Sequence, residues 1–105
     1  MRDHKEIIEF RYDTQLLLDK YGLDDDACDD LVDEIREYIL KNFIGDCLIV
    51  AGDTDKDDFG GEKATVKLHY HTNEPWLVLQ YCRSLGEIYD IVVEDMQRQT
   101  DGLHG

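Results

Sequence analysis

The sequence predicts an α+β fold: a ferredoxin-like β-α-β-β-α-β sandwich with two helices on one face of a four-stranded antiparallel sheet. Three observations support this prediction. Segments of alternating polarity mark the strands, segments with apolar residues at i, i+3 and i+4 mark the helices, and Gly-rich or capping sequences separate them. In this order, right-handed crossovers place the first and third strands side by side in the centre of the sheet.

The first strand is predicted over residues 10–17, with Arg11, Asp13 and Gln15 on its polar face. The aspartate run 24–26 can cap the first helix, which extends to about residue 43. Gly45 is expected to end that helix with left-handed backbone angles. The predicted buried face of the helix comprises Cys28, Leu31, Val32, Ile35, Tyr38, Ile39, Asn42 and Phe43.

The second strand is predicted over 46–51, and a polar, Gly-rich loop over 52–61 joins it to an antiparallel third strand over 64–72. Thr72 or Asn73 is expected to cap the second helix, 76–85, which Gly86 closes. A last strand passes through 89–93, and the end from Gln97 to Gly105 is expected to be loosely held. The predicted buried stripe of the second helix comprises Leu77, Val78, Tyr81, Cys82 and Leu85.

Length and charge limit the possible functions. The 105 residues fit a single domain, 1–105, with its core over about 8–97. Twenty-five acidic residues against eleven Lys and Arg give a net charge of −14, which disfavours nucleic acids and anionic membranes as partners. The sequence has neither an apolar run that could span a membrane nor a secretory signal, so a cytoplasmic location is expected. Three cysteines without a CxxC pair indicate reduced, buried thiols: Cys28, Cys47 and Cys82.

Two histidines stand out on the third strand. His69 and His71 lie on the same face because strand side chains alternate, and antiparallel pairing brings Asp13 of the first strand beside His71. One carboxylate and two imidazoles are an acceptable ligand set for zinc, with a fourth position left open. Glu9 and Gln15 are candidate acceptors for the second N–H of each ring. The same residues also fit exposed histidines on a polar face, or a hydrogen-bonded cluster beneath a neighbouring domain.

No other group of residues indicates chemistry. The sequence has no phosphate-binding loop and no Ser–His–acid or Cys–His set, so we predict neither catalytic nor cofactor-binding residues. His4 and His104, near the two ends of the chain, are expected to be exposed and to take no part in the site.

Several segments together carry a family resemblance. They are Gly45-Asp46-Cys47-Leu48-Ile49-Val50-Ala51-Gly52-Asp53, His69-Tyr70-His71-Thr72-Asn73-Glu74-Pro75, Gly86-Glu87-Ile88 and Glu94-Asp95-Met96-Gln97-Arg98-Gln99. Over about residues 10–99 the chain resembles the middle domain of the catalytic component of bacterial fatty acid kinase, one of the DAK2-domain or dihydroxyacetone-kinase-like proteins. The resemblance implies a non-catalytic module of a larger kinase, in which a preceding domain binds ATP. It also implies a homodimer, and a fatty-acid-binding DegV-type partner engaged by a following domain.

The resemblance further implies a zinc site made by one cysteine and the two histidines of the H-x-H strand. The matching positions in this chain are His69, His71 and, in place of the cysteine, Asp13. Carboxylate is a harder and less exclusive ligand than thiolate, so the substitution can lower the affinity, change the metal or leave the site vestigial. Two alternatives stay open: a small stand-alone metal-dependent enzyme built on these three residues, and a purely structural oligomerisation domain.

Overall fold

The computed structural model describes residues 8–100, in which four antiparallel strands form a sheet in the order β2-β3-β1-β4. The strands are β1 (Tyr12–Tyr21), β2 (Gly45–Lys56), β3 (Glu62–Thr72) and β4 (Glu87–Asp95), and the helices are α1 (Asp25–Asn42), α2 (Pro75–Leu85) and α3 (Met96–Thr100). The element order and the central β1–β3 pair confirm the predicted α+β sandwich; α3 is an additional short helix. No helix within residues 8–100 is long and apolar enough to cross a membrane.

The core lies between the sheet and the two longer helices. α1 packs mainly on β2, and α2 packs on β1 and β4. One parity of each central strand enters this core, so the opposite face of the sheet is left to polar side chains. The buried cluster comprises Leu16, Leu18, Leu31, Val32, Ile35, Ile39, Val50, Val66, Leu68, Tyr70, Val78 and Cys82.

The predicted stripe of α1 is correct except near its end. Asp24 caps the helix by accepting a hydrogen bond from the Ala27 backbone N–H at 2.9 Å. Tyr38 is exposed rather than buried, and its ring stacks on Tyr81 of α2 with ring centroids 3.8 Å apart. Asn42 is also exposed, and its side-chain amide donates to the Tyr38 carbonyl.

β1 begins and ends later than predicted, since Phe10 lies outside it and the ladder continues to Tyr21, opposite Lys63. Three consecutive leucines hide the alternation of this strand. Leu16 and Leu18 enter the core, whereas Leu17 pairs with Lys67 on the other parity.

The expected role of Gly45 was wrong. α1 ends at Asn42 with Phe43 as its extended C-cap, and Gly45 is the first residue of β2. A side chain has no room there: a Cβ on Gly45 would lie 2.2 Å from the His71 carbonyl oxygen and 2.5 Å from the Tyr70 ring. Close approach between β2 and β3, not backbone conformation, explains this glycine.

The structure also corrects the boundaries near α2 and the C-terminus. Glu74, not Thr72 or Asn73, is the N-cap of α2, and it makes no capping bond through its side chain. The segment from Gln97 was expected to be loosely held, but residues 96–100 form α3. The Gln97 side-chain oxygen accepts a hydrogen bond from the Ile8 N–H at 2.7 Å. Residues 101–105 and both terminal histidines lie outside the described residues.

Adjacent residues of α1 provide a test of this packing. Ile39 is fully buried and Leu40 is 63% exposed. We expect Ile39→Ala to lower the free energy of unfolding by about 2–5 kcal/mol, because it leaves a cavity under the sheet. We expect Leu40→Ala to change it by less than about 0.5 kcal/mol. Urea denaturation of both variants measures the difference, and equal effects would contradict the assigned orientation of α1.

Candidate metal centre

Three strands bring polar donors together on the face of the sheet that the helices leave uncovered. In the β1–β3 ladder Asp13 pairs with His71 and Gln15 pairs with His69. In the β2–β3 ladder Asp46 pairs with the same His71 from the other side. His71 therefore lies between two carboxylates on neighbouring strands.

The structure places the three sequence-predicted residues in one cluster. The Asp13 Oδ1 atom lies 3.5 Å from His69 Nδ1 and 3.8 Å from His71 Nε2. The Nε2 atoms of the two rings are 3.0 Å apart, so one ring can donate its N–H to the other. Each of the three side chains is between 20% and 26% exposed, and the cluster is therefore half-buried but reachable from solvent.

Asp13 has an unsatisfied oxygen within this cluster. Its Oδ1 atom is inaccessible to solvent and accepts no hydrogen bond within the described part of the chain, while Oδ2 accepts one from Gln15 Nε2 at 3.3 Å. Leaving a buried carboxylate oxygen without a partner is costly. A cation between Asp13 and the two imidazoles would remove that cost.

The expected second acceptors lie elsewhere. Gln15 Nε2 donates a hydrogen bond to Asp13 Oδ2, and the Glu9 backbone carbonyl accepts one from the Asn73 side chain. The acceptor candidate at the second nitrogen of His71 is Asp46, whose Oδ1 atom is 3.6 Å from His71 Nδ1. Sequence reasoning missed Asp46 because it treated the residue only as the start of an apolar strand. The signal was available in the pairing of β2 with β3.

A bulge in β2 adds a sulfur to the same neighbourhood. The register shifts between Asp46 and Ile49, so that Cys47 and Leu48 both oppose Tyr70, and Cys47 has a φ of 54°. Cys47 is exposed, which corrects the expectation that all three thiols are buried. Ligand atoms of Asp46, Cys47 and His71 lie within 4.8 Å of one another. Desolvation, followed by the charge of Asp46, raises the pKa of the Cys47 thiol.

Asp13, His69 and His71 can each offer one donor atom, and these three atoms lie within 4.8 Å of one another. Tetrahedral donors about 2.0–2.1 Å from an ion lie roughly 3.3–3.4 Å from one another. In the structure His69 faces its two neighbours with different nitrogens: Nδ1 lies 3.5 Å from Asp13 Oδ1, and Nε2 lies 3.0 Å from His71 Nε2. Asp13 Oδ1 and His71 Nε2 are 3.8 Å apart. Coordination of one ion by a single donor atom of each residue would therefore require small shifts of the side chains. With the unsatisfied Oδ1 atom, the three residues are a candidate ligand set for a divalent cation.

Comparison with known proteins identifies the family. The family model for the middle domain of FakA-like fatty acid kinase proteins matches residues 9–103, nearly the whole chain. The chain belongs to this family. The match confirms the resemblance carried by the H-x-H-T-N-x-P run and the segments around it. A comparison with curated proteins gives no match.

The three cysteines of this FakA-like middle domain should differ sharply in reactivity. Cys28 and Cys82 are 2% and 1% exposed, and burial raises the pKa of the Cys82 thiol to about 12. We expect the native protein to react with one equivalent of a thiol reagent, at Cys47, and the denatured protein to react with three. Mass spectrometry locates the label, and Cys47→Ser is the matched control. Labelling of Cys28 as fast as Cys47 in the native protein would refute this assignment.

Proposed function

We propose that this chain is a non-catalytic, dimerisation or regulatory middle module of a cytoplasmic fatty acid kinase-like protein, and that Asp13, His69 and His71 hold a zinc ion. Membership of the family supports the module. The observation that carries the metal site is the solvent-inaccessible Asp13 Oδ1 atom, which accepts no hydrogen bond from the described residues and faces two imidazole nitrogens. ATP chemistry belongs, in this proposal, to a kinase domain elsewhere in the full-length protein.

The proposed role of the metal is to fix the central strands to each other on their uncovered face. Asp13 comes from β1 and the histidines from β3, so one ion would join side chains of two strands. When bound, zinc would supply a fixed positive charge and a fourth coordination position. A carboxylate next to His71 Nδ1, that of Asp46, can orient the ring by accepting its N–H.

A structural, metal-free cluster is the second candidate. The 3.0 Å separation of the two Nε2 atoms supports it, because a neutral imidazole can donate one N–H to the other ring without any ion. This arrangement still leaves Asp13 Oδ1 unsatisfied. The orphaned oxygen is why we favour the metal site.

Metal analysis tests the proposal directly. In protein purified without an affinity tag we expect one zinc per chain, and we expect His71→Ala and Asp13→Asn to weaken zinc binding by at least about 10–100-fold, the range seen even for residues that only support a ligand. At zinc concentrations 100 times the Kd, the metal should stabilise the native state by about 2.7 kcal/mol. Asp30→Asn, which changes an exposed carboxylate on α1, is the matched control.

A protein that binds no zinc would give a different set of results. If the purified protein carries no metal, zinc leaves the melting temperature unchanged and Asp13→Asn has no effect on binding, the histidines form a structural cluster. In that case Asp13→Asn should also leave stability unchanged or raise it, because an amide costs less to bury than an unpaired carboxylate.

We also propose that the domain forms a homodimer through its β4 edge. Within residues 8–100 only one side of β4 is paired with another strand, and three consecutive β4 side chains, Ile91, Val92 and Val93, are each about 39–46% exposed. An apolar edge strand of this kind favours pairing with a second chain. The fatty-acid-binding DegV-type partner, by contrast, would be engaged through other parts of the full-length protein.

Sedimentation tests the dimer. We expect the wild-type protein to sediment as a dimer and Val92→Lys to shift it to a monomer, because the new charge would have to be buried at the edge. Leu40→Lys is the control, since Leu40 is exposed on α1, away from β4. A wild-type monomer at all concentrations, or equal dissociation by both variants, would contradict an interface at β4.

A further inference from the structure

His71 lies between two groups of metal-binding donors, with Asp13 and His69 at its Nε2 atom and Asp46 at its Nδ1 atom. Its Nε2 atom faces Asp13 at 3.8 Å and His69 at 3.0 Å. Its Nδ1 atom faces Asp46 at 3.6 Å, and Cys47 completes a second group of three donors with Asp46 and His71. The bulge in β2 creates this second group, because it places an extra residue with a positive φ beside β3.

A neutral imidazole can bind only one ion at a time. One ring nitrogen carries the proton and the other carries the available lone pair. A metal on Nε2 leaves the Nδ1–H pointing at the Asp46 carboxylate, which then acts as an acceptor that orients the ring. A metal on Nδ1 instead leaves the Nε2–H pointing toward Asp13 and His69. The tautomer of His71 thus determines which group holds the ion.

We propose that Asp46, Cys47 and His71 form a second, sulfur-containing metal site that competes with Asp13 and His69 for His71. This inference goes beyond the proposed zinc site and shares only His71 with it. Binding would replace the S–H bond of Cys47 by a sulfur–metal bond, and the proton would pass to solvent. Asp46 would supply a carboxylate oxygen, and a fourth position would stay open.

The two groups differ in the ions they prefer. A thiolate is a soft ligand that favours thiophilic metals over magnesium or calcium, whereas a carboxylate is a hard ligand. The group of Asp13, His69 and His71 contains no sulfur ligand. The group of Asp46, Cys47 and His71 contains one, the thiol of Cys47. Zinc accepts both kinds of donor group, and ions softer than zinc should favour the β2 side of His71.

Cobalt(II) distinguishes the two sites, because a bound thiolate gives a sulfur-to-cobalt charge-transfer band in the near ultraviolet and an imidazole–carboxylate site does not. We expect cobalt-loaded wild-type protein to show this band with one cobalt per chain. We expect Cys47→Ser to remove the band while cobalt still binds, and Asp13→Asn and His69→Ala to retain it. His71→Ala should remove both the band and the binding. Cys28→Ala, a buried thiol outside either group, is the matched control and should retain the band.

Other outcomes would overturn the proposal in separate ways. Stoichiometric cobalt without a charge-transfer band would refute the Cys47 site and leave the Asp13 site intact. A band lost in Asp13→Asn as well as in Cys47→Ser would refute competition, since the thiolate would then belong to a single site with Asp13. Two cobalt ions per chain would refute exclusive use of His71. No cobalt binding at all would refute both this site and the proposed zinc site.

Discussion

The antiparallel pairing of β1 with β3 determines both the core and the site. In one register, Leu16 lies opposite Leu68 in the core and Asp13 lies opposite His71 on the uncovered face. Because side chains alternate with a period of two, a shift of one residue would turn the apolar set toward solvent and the acid and imidazoles toward the helices. Burial of the leucines therefore fixes the position of the polar cluster. The core stabilises a site to which it contributes no atom.

The carboxylates near the two ends of β1 have different partners. Arg11, which directly precedes β1, forms an ion pair with Asp95 at 2.9 Å. Hydrogen bonds from Arg11 are the main reason that the pKa of Asp95 is lowered. At the other end of the uncovered face, Asp19 Oδ1 accepts hydrogen bonds from the hydroxyls of Thr65 and Tyr89, and Oδ2 lies 3.7 Å from Lys63 Nζ. Two carboxylates of the same strand thus differ: Asp19 is satisfied by hydrogen bonds, and Asp13 faces imidazoles with one oxygen that no described residue satisfies.

The sequence predicted the regular parts of the molecule and missed the irregular ones for identifiable reasons. Alternation is strict in β3, so the common face of His69 and His71 followed directly from it. In β2 the alternation breaks at the bulge, and the run Asp46-Cys47-Leu48-Ile49 then looks like a continuous buried strand. A bulge depends on the partner strand, which local patterning does not contain. Cys47 was therefore assigned to the core and Asp46 to no site.

The β-bulges lie in the edge strands β2 and β4, and the described ladder between the central strands β1 and β3 has no bulge. β1 and β3 pair without a register shift, whereas β2 and β4 each carry one extra residue relative to their neighbour. Each bulge contains one residue with a positive φ, Cys47 in β2 and Asp90 in β4. An edge strand can accept such an insertion because only one hydrogen-bonded ladder is disturbed. The two bulges therefore leave Asp13 and the histidines in register on the central strands. The β2 bulge places Cys47 beside His71, at the edge of this cluster.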